Sequence, residues 1–251
     1  MPIVMMPGYE IVTHTPDMYN VIEGAARKCY LSEPKMPYQP EINFDNPDDY
    51  RDYHMKRNKE QEKFLRNKIA LGHHSILEHG SITVDFVFDR GVSHEEVRHR
   101  IQAISQESTR YCNYGNDRFD NEIRVILPHF FSDDEPRKTI KLGPIGAEVT
   151  LNKLDAWYQA MIQAEMWYMT LLELGATAQE ARSVLPNSLK TEMRVTANVR
   201  EWRHILKIRT EAGVHPQMAE SMVPVLCSFR KHWPVLFDDI MYDEKWSKFA
   251  L

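Results

Sequence analysis

Between Ser81 and Arg110 the chain changes its hydrophobic period, and that change limits what it can fold into. Val84, Phe86 and Phe88 alternate with Thr83, Asp85 and Val87, the period of two that belongs to a half-buried strand. Gly91 breaks the alternation, and Ser93-His94-Glu95-Glu96 then has the S-x-x-E form of a capping box, which predicts a helix starting there. Val97, Ile101 and Ile104 supply that helix with an apolar stripe at i, i+4 and i+7. From Ser108 to Tyr114 the chain is expected to be extended again. A strand that feeds a helix and then returns to extended backbone excludes all-helical and all-strand folds.

The rest of the chain repeats the mixture. Thr15-Pro16-Asp17 reads as an N-cap, a proline at the first helical position and an acid matched to the helix dipole, opening a helix through Val21, Ile22 and Ala25 towards Tyr30. Residues 32–52 are rich in Pro, Asp and Asn and predict a surface loop, followed by a charged helix over 54–71 that Gly72 ends. Ile123 to Leu127 predicts a second strand stopped by Pro128, and 132–146 a polar connection. A long amphipathic helix is expected from Ala147 to Leu174, then a short one opened by Thr177-Ala178-Gln179-Glu180 and closed by Pro186. Leu189 to Ala197 predicts a strand, and 198–211 and 216–232 two further helices. The expected fold is α+β, one domain over 1–251 with a polar insert around 32–60 and one modest, mostly antiparallel sheet.

Composition narrows the partners. The formal net charge of -5, from 31 Lys+Arg against 36 Asp+Glu, gives no global attraction to nucleic acid or to an anionic membrane, so an anionic ligand must be held by local clusters. Cys29, Cys112 and Cys227 are scattered without a C-x-x-C pair, which suits a reducing cytoplasm better than a disulfide framework. No signal peptide and no apolar run long enough to cross a bilayer is legible.

Three segments carry chemistry. In Arg98-His99-Arg100, successive residues on a helix would point about 100° apart, so the three cannot all meet one ligand. Ser108 and Arg110, two apart in an extended segment, would share a face and grip a phosphate with a hydroxyl and a guanidinium. A solvated basic helix followed by a strand accounts for the same residues without any ligand. In Gly72-His73-His74-Ser75-Ile76-Leu77-Glu78-His79 the three histidines and a carboxylate invite a metal, but no H-E-x-x-H spacing is present; a polar loop beside a cofactor, or a plain capping turn, accounts for it better. In the third segment Arg200 and His204 share a helix face, with Trp202, Ile205 and Ile208 on the apolar side. Arg200, Arg203, Lys207 and Arg209 have only Glu201 among them, a sign of an anionic ligand. A nucleic-acid-binding protein built on a basic helix at 98–110, and a metal-dependent hydrolase built on His73, His74, Glu78 and His79, are two functional readings of these segments.

Together these motifs resemble the flavin-dependent thymidylate synthases. Arg98-His99-Arg100, seven residues, Ser108, one residue, Arg110 has that family's signature spacing. Gly72-His73-x-Ser75-x-x-Glu78-His79, Ala25-Ala26-Arg27-x-Cys29-Tyr30, Ala181-Arg182-x-Val184-Leu185-Pro186 and Asn198-x-Arg200 resemble its other segments, in order, from about residue 25 to 217. The resemblance implies a homotetramer with shared active sites, binding FAD and converting dUMP to dTMP with methylenetetrahydrofolate as carbon donor and NADPH as reductant. It implies FAD contacts from Ser75, Arg98, His99 and Arg100, contacts to the flavin or its nucleotide from Asn198, Arg200, His204 and His215 of a neighbouring chain, and dUMP contacts from Gln106, Glu107, Ser108 and Arg110, with Arg182 and Arg209 from another subunit. It places Arg209, Ser108 and His73 nearest the chemistry: Arg209 against charge developing on the uracil ring, His73 on the folate and nicotinamide side of the flavin. None of the cysteines sits in a Pro-Cys-Gln context, which fits a reaction without an enzyme nucleophile. Two departures stand out: His204 where many members have Asn or Gln, and Gln106 where some have Glu.

Overall fold

A computed structural model describes residues 1–29, 31 and 47–250. In chain order the elements are β1 (Ile3–Met5), β2 (Gly8–His14), α1 (Met18–Lys28), α2 (Pro47–Ala70), β3 (Ser81–Asp89), α3 (Arg90–Glu96), β4 (Gln102–Gln106), β5 (Arg124–Ile126), β6 (Lys138–Leu142), β7 (Ala147–Leu151), α4 (Lys153–Glu173), α5 (Ala178–Ala181), β8 (Lys190–Asn198), α6 (Val199–Arg209), α7 (Pro216–His232) and α8 (Pro234–Phe237). Short 3₁₀ turns include His74–His79 and Glu244–Phe249. The fold is α+β. Its main sheet has four antiparallel strands in the order β2-β3-β8-β4; β1 and β5 form a parallel pair, and β6 and β7 a hairpin.

The alternation read in β3 is the reason for the layering. Ile82, Val84, Phe86 and Phe88, with Met193, Val195 and Ala197 of β8, are buried on one sheet face. They join Ile22 of α1, Trp202 and Ile205 of α6, and Met222 and Phe229 of α7 in the principal core. Trp202 closes its one polar atom by donating its indole N–H to the Ile82 carbonyl at 2.9 Å. A second core gathers Tyr114, Ile123, Val125, Met161, Tyr168 and Leu189 beneath α4.

Several expectations are corrected. The helix expected from Ser93 is over by Glu96: Asp89 caps it four residues earlier, its carboxylate accepting Val92 N–H at 2.8 Å, and the Ser93 hydroxyl bonds back to the Arg90 carbonyl instead of capping. Residues 102–106 then pair with β8, from Gln102↔Ala197 to Gln106↔Met193. Five ladder positions outweigh a weak helical stripe, and Val97 and Ile101 end up 40% and 68% exposed. Ser108 to Tyr111 is a turn: Tyr111 and Cys112 donate their N–H groups to the Ser108 carbonyl, and Arg110 N–H reaches the Ser108 hydroxyl at 3.3 Å.

Thr15 does not cap α1. Its hydroxyl takes Ser81 N–H at 2.9 Å, tying α1 to β3, and Asp17 occupies the cap position with a φ of 47°. Helix α2 begins at Pro47, inside the stretch expected to be loop; residues 32–46 and Tyr30 lie outside the described residues. The 132–146 connection contains β6, and the long helix begins only at Lys153, where Asn152 and Asp155 form a reciprocal capping box. On α6, Leu206 is buried and Ile208 is 37% exposed, which shifts the apolar face by part of a turn.

Candidate active site

The signature residues fall on two turns separated by β4. Arg98, His99 and Arg100 precede the strand, and Ser108 to Arg110 follow it. Extended backbone rises roughly 3.4 Å per residue, so the eight steps from Arg100 to Ser108 span on the order of 25 Å.

At the first turn His99 is buried and Arg98 and Arg100 on either side of it are exposed, with no carboxylate partner among the described residues. Arg209, at the end of α6, is spent on this turn. Its Nε donates to His99 Nε2 at 2.9 Å, its Nη1 to Glu95 Oε2 at 3.0 Å and its Nη2 to the Glu95 carbonyl at 2.7 Å. Because His99 Nε2 accepts, the ring carries its proton on Nδ1. Burial first, then the neighbouring Arg209 guanidinium and His204, hold the imidazole at a pKa of about 4, so His99 is neutral at physiological pH. The His204 ring stands edge-on to it, with centroids 5.9 Å apart.

Beside this turn lies a cavity of about 990 Å³, lined by His74, Glu78, Asn198, Arg200, His204 and Lys207 among others, with Asp239 to Met241 closing it from the C-terminal segment. That volume is at the upper end of small-molecule sites, about 300–1,000 Å³. Asn198 caps α6 by accepting Glu201 N–H at 2.8 Å, and the first turn of that helix, Asn198, Arg200 and Glu201, lies on the cavity wall. Ser75 is exposed on the 3₁₀ turn that carries His74 and Glu78, with His73 half-buried at its cap position. His215 instead caps α7 and lies 6.4 Å from the Phe130 ring; it is not among the cavity-lining residues.

The arginines of α6 are better compensated than the local sequence implies. Arg200 meets Glu78 at 2.5 Å, Arg203 meets Asp239 at 2.6 Å and Arg209 meets Glu95 at 3.0 Å. The acids come from distant segments, which a reading of one helix cannot see. Lys207 has no ion-pair partner among the described residues. Nor do the histidines of 73–79 converge on a metal. Among the described residues the one His/Cys/Asp/Glu trio whose donor atoms lie within 4.8 Å of one another is His99, Glu201 and His204. A guanidinium 2.9 Å from one of its nitrogens opposes a cation there and favours an anionic ligand.

The second turn is anchored differently. Glu107 is fully committed inside the chain: Tyr114 O–H donates to Oε1 at 2.8 Å, and Lys190 Nζ and Glu192 N–H donate to Oε2 at 3.1 and 3.3 Å. Gln106 donates its amide to the hydroxyls of Ser93 and Thr191. Arg182 lies 3.5 Å from Thr109 Oγ1, so it shares the Ser108 turn of its own chain. Arg110 projects into solvent over the exposed Tyr111 ring, 5.5 Å from its centroid. Residues 98–110 thus form turn, strand and turn, so the basic helix that a nucleic-acid-binding reading needs is absent. Lys190 and Tyr114 were not singled out by motif, and Glu95 and Glu96 only as part of a capping box; burial and long-range pairing mark their place at the site.

Residues 10–235 match the family model described as Thymidylate synthase complementing protein. A flavin-dependent thymidylate synthase from Corynebacterium aurimucosum is 32% identical over 222 residues, covering 87% of this chain and 78% of that protein. One from Geobacter sulfurreducens is 30% identical over 230 residues, covering 91% and 84%. The fold is also similar to a solved UMP/dUMP methylase PolB from Streptomyces cacaoi bound with 5-Br dUMP, with a TM-score of 0.65, 22% identity, and 94% and 95% of the two chains covered. With the family match running through both turns and the cavity wall, the chain belongs to the flavin-dependent thymidylate synthases.

Proposed function

We propose that this chain makes dTMP from dUMP by reductive methylation, with FAD bound along the 990 Å³ cavity, methylenetetrahydrofolate as carbon donor and NADPH as reductant. The observation that carries the reading is the family match over residues 10–235, which includes two exposed cationic turns at opposite ends of one strand. The residues present fit the cofactor. Asn198, Arg200, His204 and the N-terminus of α6 offer donors to a diphosphate and ring edge, Ser75 stands on the 3₁₀ turn beside them, and Arg98 and Arg100 are cations without an ion pair among the described residues. Bound flavin supplies hydride transfer, chemistry no side chain provides.

The chain's own residues position and polarise. Ser108 and Arg110 hold the dUMP phosphate, with Arg182 reaching Thr109 of that turn from the 3₁₀ segment that follows α5. Glu107 and Gln106 support that turn from behind through Tyr114, Lys190, Ser93 and Thr191. Arg209, oriented by neutral His99 and by Glu95, faces the uracil ring and stabilises developing negative charge. His73 lies on the folate side, and His215 contributes from the start of α7.

The Ser108/Arg110 turn and Arg209 sit at opposite ends of β4, up to about 25 Å of backbone apart, and a second chain that supplies one of them lets one nucleotide meet both. That supports a homotetramer with composite sites. The direct test is an absorbance spectrum of the purified protein with added FAD, followed through NADPH, dUMP and methylenetetrahydrofolate. A bound flavin that NADPH bleaches, and that reoxidises anaerobically with formation of dTMP, is the expected result; absence of flavin binding contradicts the reading.

A further inference from the structure

Glu96 closes α3 immediately before the turn that carries Arg98, His99 and Arg100. Its side chain is fully buried. Its carbonyl accepts two hydrogen bonds, from His99 N–H at 3.1 Å and from Gln102 Nε2 at 3.0 Å, so both ends of the turn already meet at this residue. The carboxyl is different. Neither of its oxygens has a partner, and the Oε1 of Gln102 is also buried and without one. If Glu96 were ionised, these would be acceptors facing no donor in a dry site, an arrangement native interiors avoid.

The surrounding charges do not supply the missing donor. Arg209 and Glu201, both on α6, are the charged groups that act on Glu96, and they oppose each other. Three of the five N–H groups of Arg209 are committed to His99 and Glu95, and the other two make no hydrogen bond to Glu96. The Gln102 carboxamide, on β4, is the polar group beside the carboxyl; it acts to lower the Glu96 pKa, against the larger effect of burial. One proton resolves the deficit, since a carboxylic acid O–H can donate to an oxygen where a carboxylate cannot.

We propose that Glu96 is a positioning residue for the flavin-binding turn, held as a neutral carboxylic acid that donates its proton to Gln102 Oε1. The Gln102 amide is then gripped twice by one residue, through its nitrogen at the Glu96 carbonyl and through its oxygen at the Glu96 carboxyl. This clamp joins the end of α3 to the start of β4 and fixes the intervening turn that aims Arg98 and Arg100. The role in flavin binding rests on the reading of that turn given above. Burial, as the dominant cause, raises the Glu96 pKa to about 7, so the clamp is intact in mildly acidic solution and opens as the pH passes neutrality.

The test uses the full chain, with and without FAD, as wild type, Glu96→Gln and Glu96→Ala. Thermal midpoints are followed from about pH 4 to about pH 9. The unfolded carboxyl ionises near its ordinary value of 4.5 and the folded one only near 7, so the wild type loses stability relative to Glu96→Gln across that interval and the gap then levels off. Infrared difference spectra at about pH 6 show a protonated-carboxyl band that is missing from Glu96→Gln and fades above neutrality. FAD affinity of the wild type falls roughly tenfold between about pH 6 and about pH 8.5, stays level in Glu96→Gln and is weak throughout in Glu96→Ala. Parallel melting curves and no carboxyl band overturn the neutral acid. A band with FAD affinity indifferent to pH and to Glu96→Ala overturns the positioning role. Failure of the wild type to bind FAD at any pH contradicts the flavin assignment instead, and the melting curves then still decide the state of Glu96.

Discussion

The two turns at the ends of β4 carry the same kinds of residue and are built in opposite ways. The Arg98–Arg100 turn is organised from its centre: a buried neutral imidazole receives Arg209, and the arginines on either side remain exposed. The Ser108–Arg110 turn is organised from behind, by a part-buried Glu107–Lys190 pair with Tyr114, and its outermost cation, Arg110, touches little besides Tyr111. One turn has its guanidinium preset by the chain; the other has its base preset and its guanidinium waiting for an anion. Preset groups suit transition-state electrostatics, where reorganisation is costly, and a mobile arginine suits phosphate capture.

The comparison can be broken at four points. Lys190→Met leaves the half-buried Glu107 beside Tyr114 without its cation, and is expected to cost about 2 kcal/mol in urea unfolding and to disable dUMP binding. If the two turns are independent, FAD affinity in that variant stays within about twofold of wild type. Arg110→Ala is expected to weaken dUMP by about 2 kcal/mol in calorimetric titration, with the melting temperature unchanged because the side chain is exposed.

Arg209→Met tests the preset end. Removing the guanidinium removes one of the causes that depress His99, so its pKa rises from about 4 towards the ordinary value, readable in the imidazole resonances by NMR. In the wild type the depressed pKa means that stability is lost as pH falls from about 6.5 to about 4, where the unfolded imidazole takes a proton that the folded one refuses. That acid-limb loss is expected to shrink in Arg209→Met. The smallest effect is expected from Ser108→Ala, about 1 kcal/mol in dUMP affinity from one hydroxyl, with the turn retained through its backbone bonds.

Much of the fold was legible because it is local. The alternation in β3, the strand at Leu189–Ala197 and the helices near 198–211 and 216–232 follow from period and caps that each segment carries itself. The failures occur where a distant partner decides. Residues 102–106 look weakly helical alone and become a strand because β8 offers them a ladder. The 138–151 hairpin is largely exposed and has little apolar alternation to announce it. At the site, residue types were readable from motif spacing, but their supports were not. Glu95 under Arg209, Lys190 under Glu107 and Glu78 beside Arg200 pair across 114, 83 and 122 residues. Physical spacing read Arg98–Arg100 and Ser108/Arg110 as two groups, and β4 lies between them, although it gave both the wrong backbone.

The central claim is that one working site takes its phosphate-binding turn and its Arg209 from different chains. Arg110→Ala and Arg209→Ala chains, each inactive alone, can be mixed, dissociated and reassembled, and dTMP formation measured. If the sites are composite, random pairing makes about a quarter of them intact, and activity returns to roughly that fraction of wild type. If the mixture stays as inactive as its components while reassembling fully, both residues serve the same site from the same chain, and the account of two turns separated by β4 is contradicted.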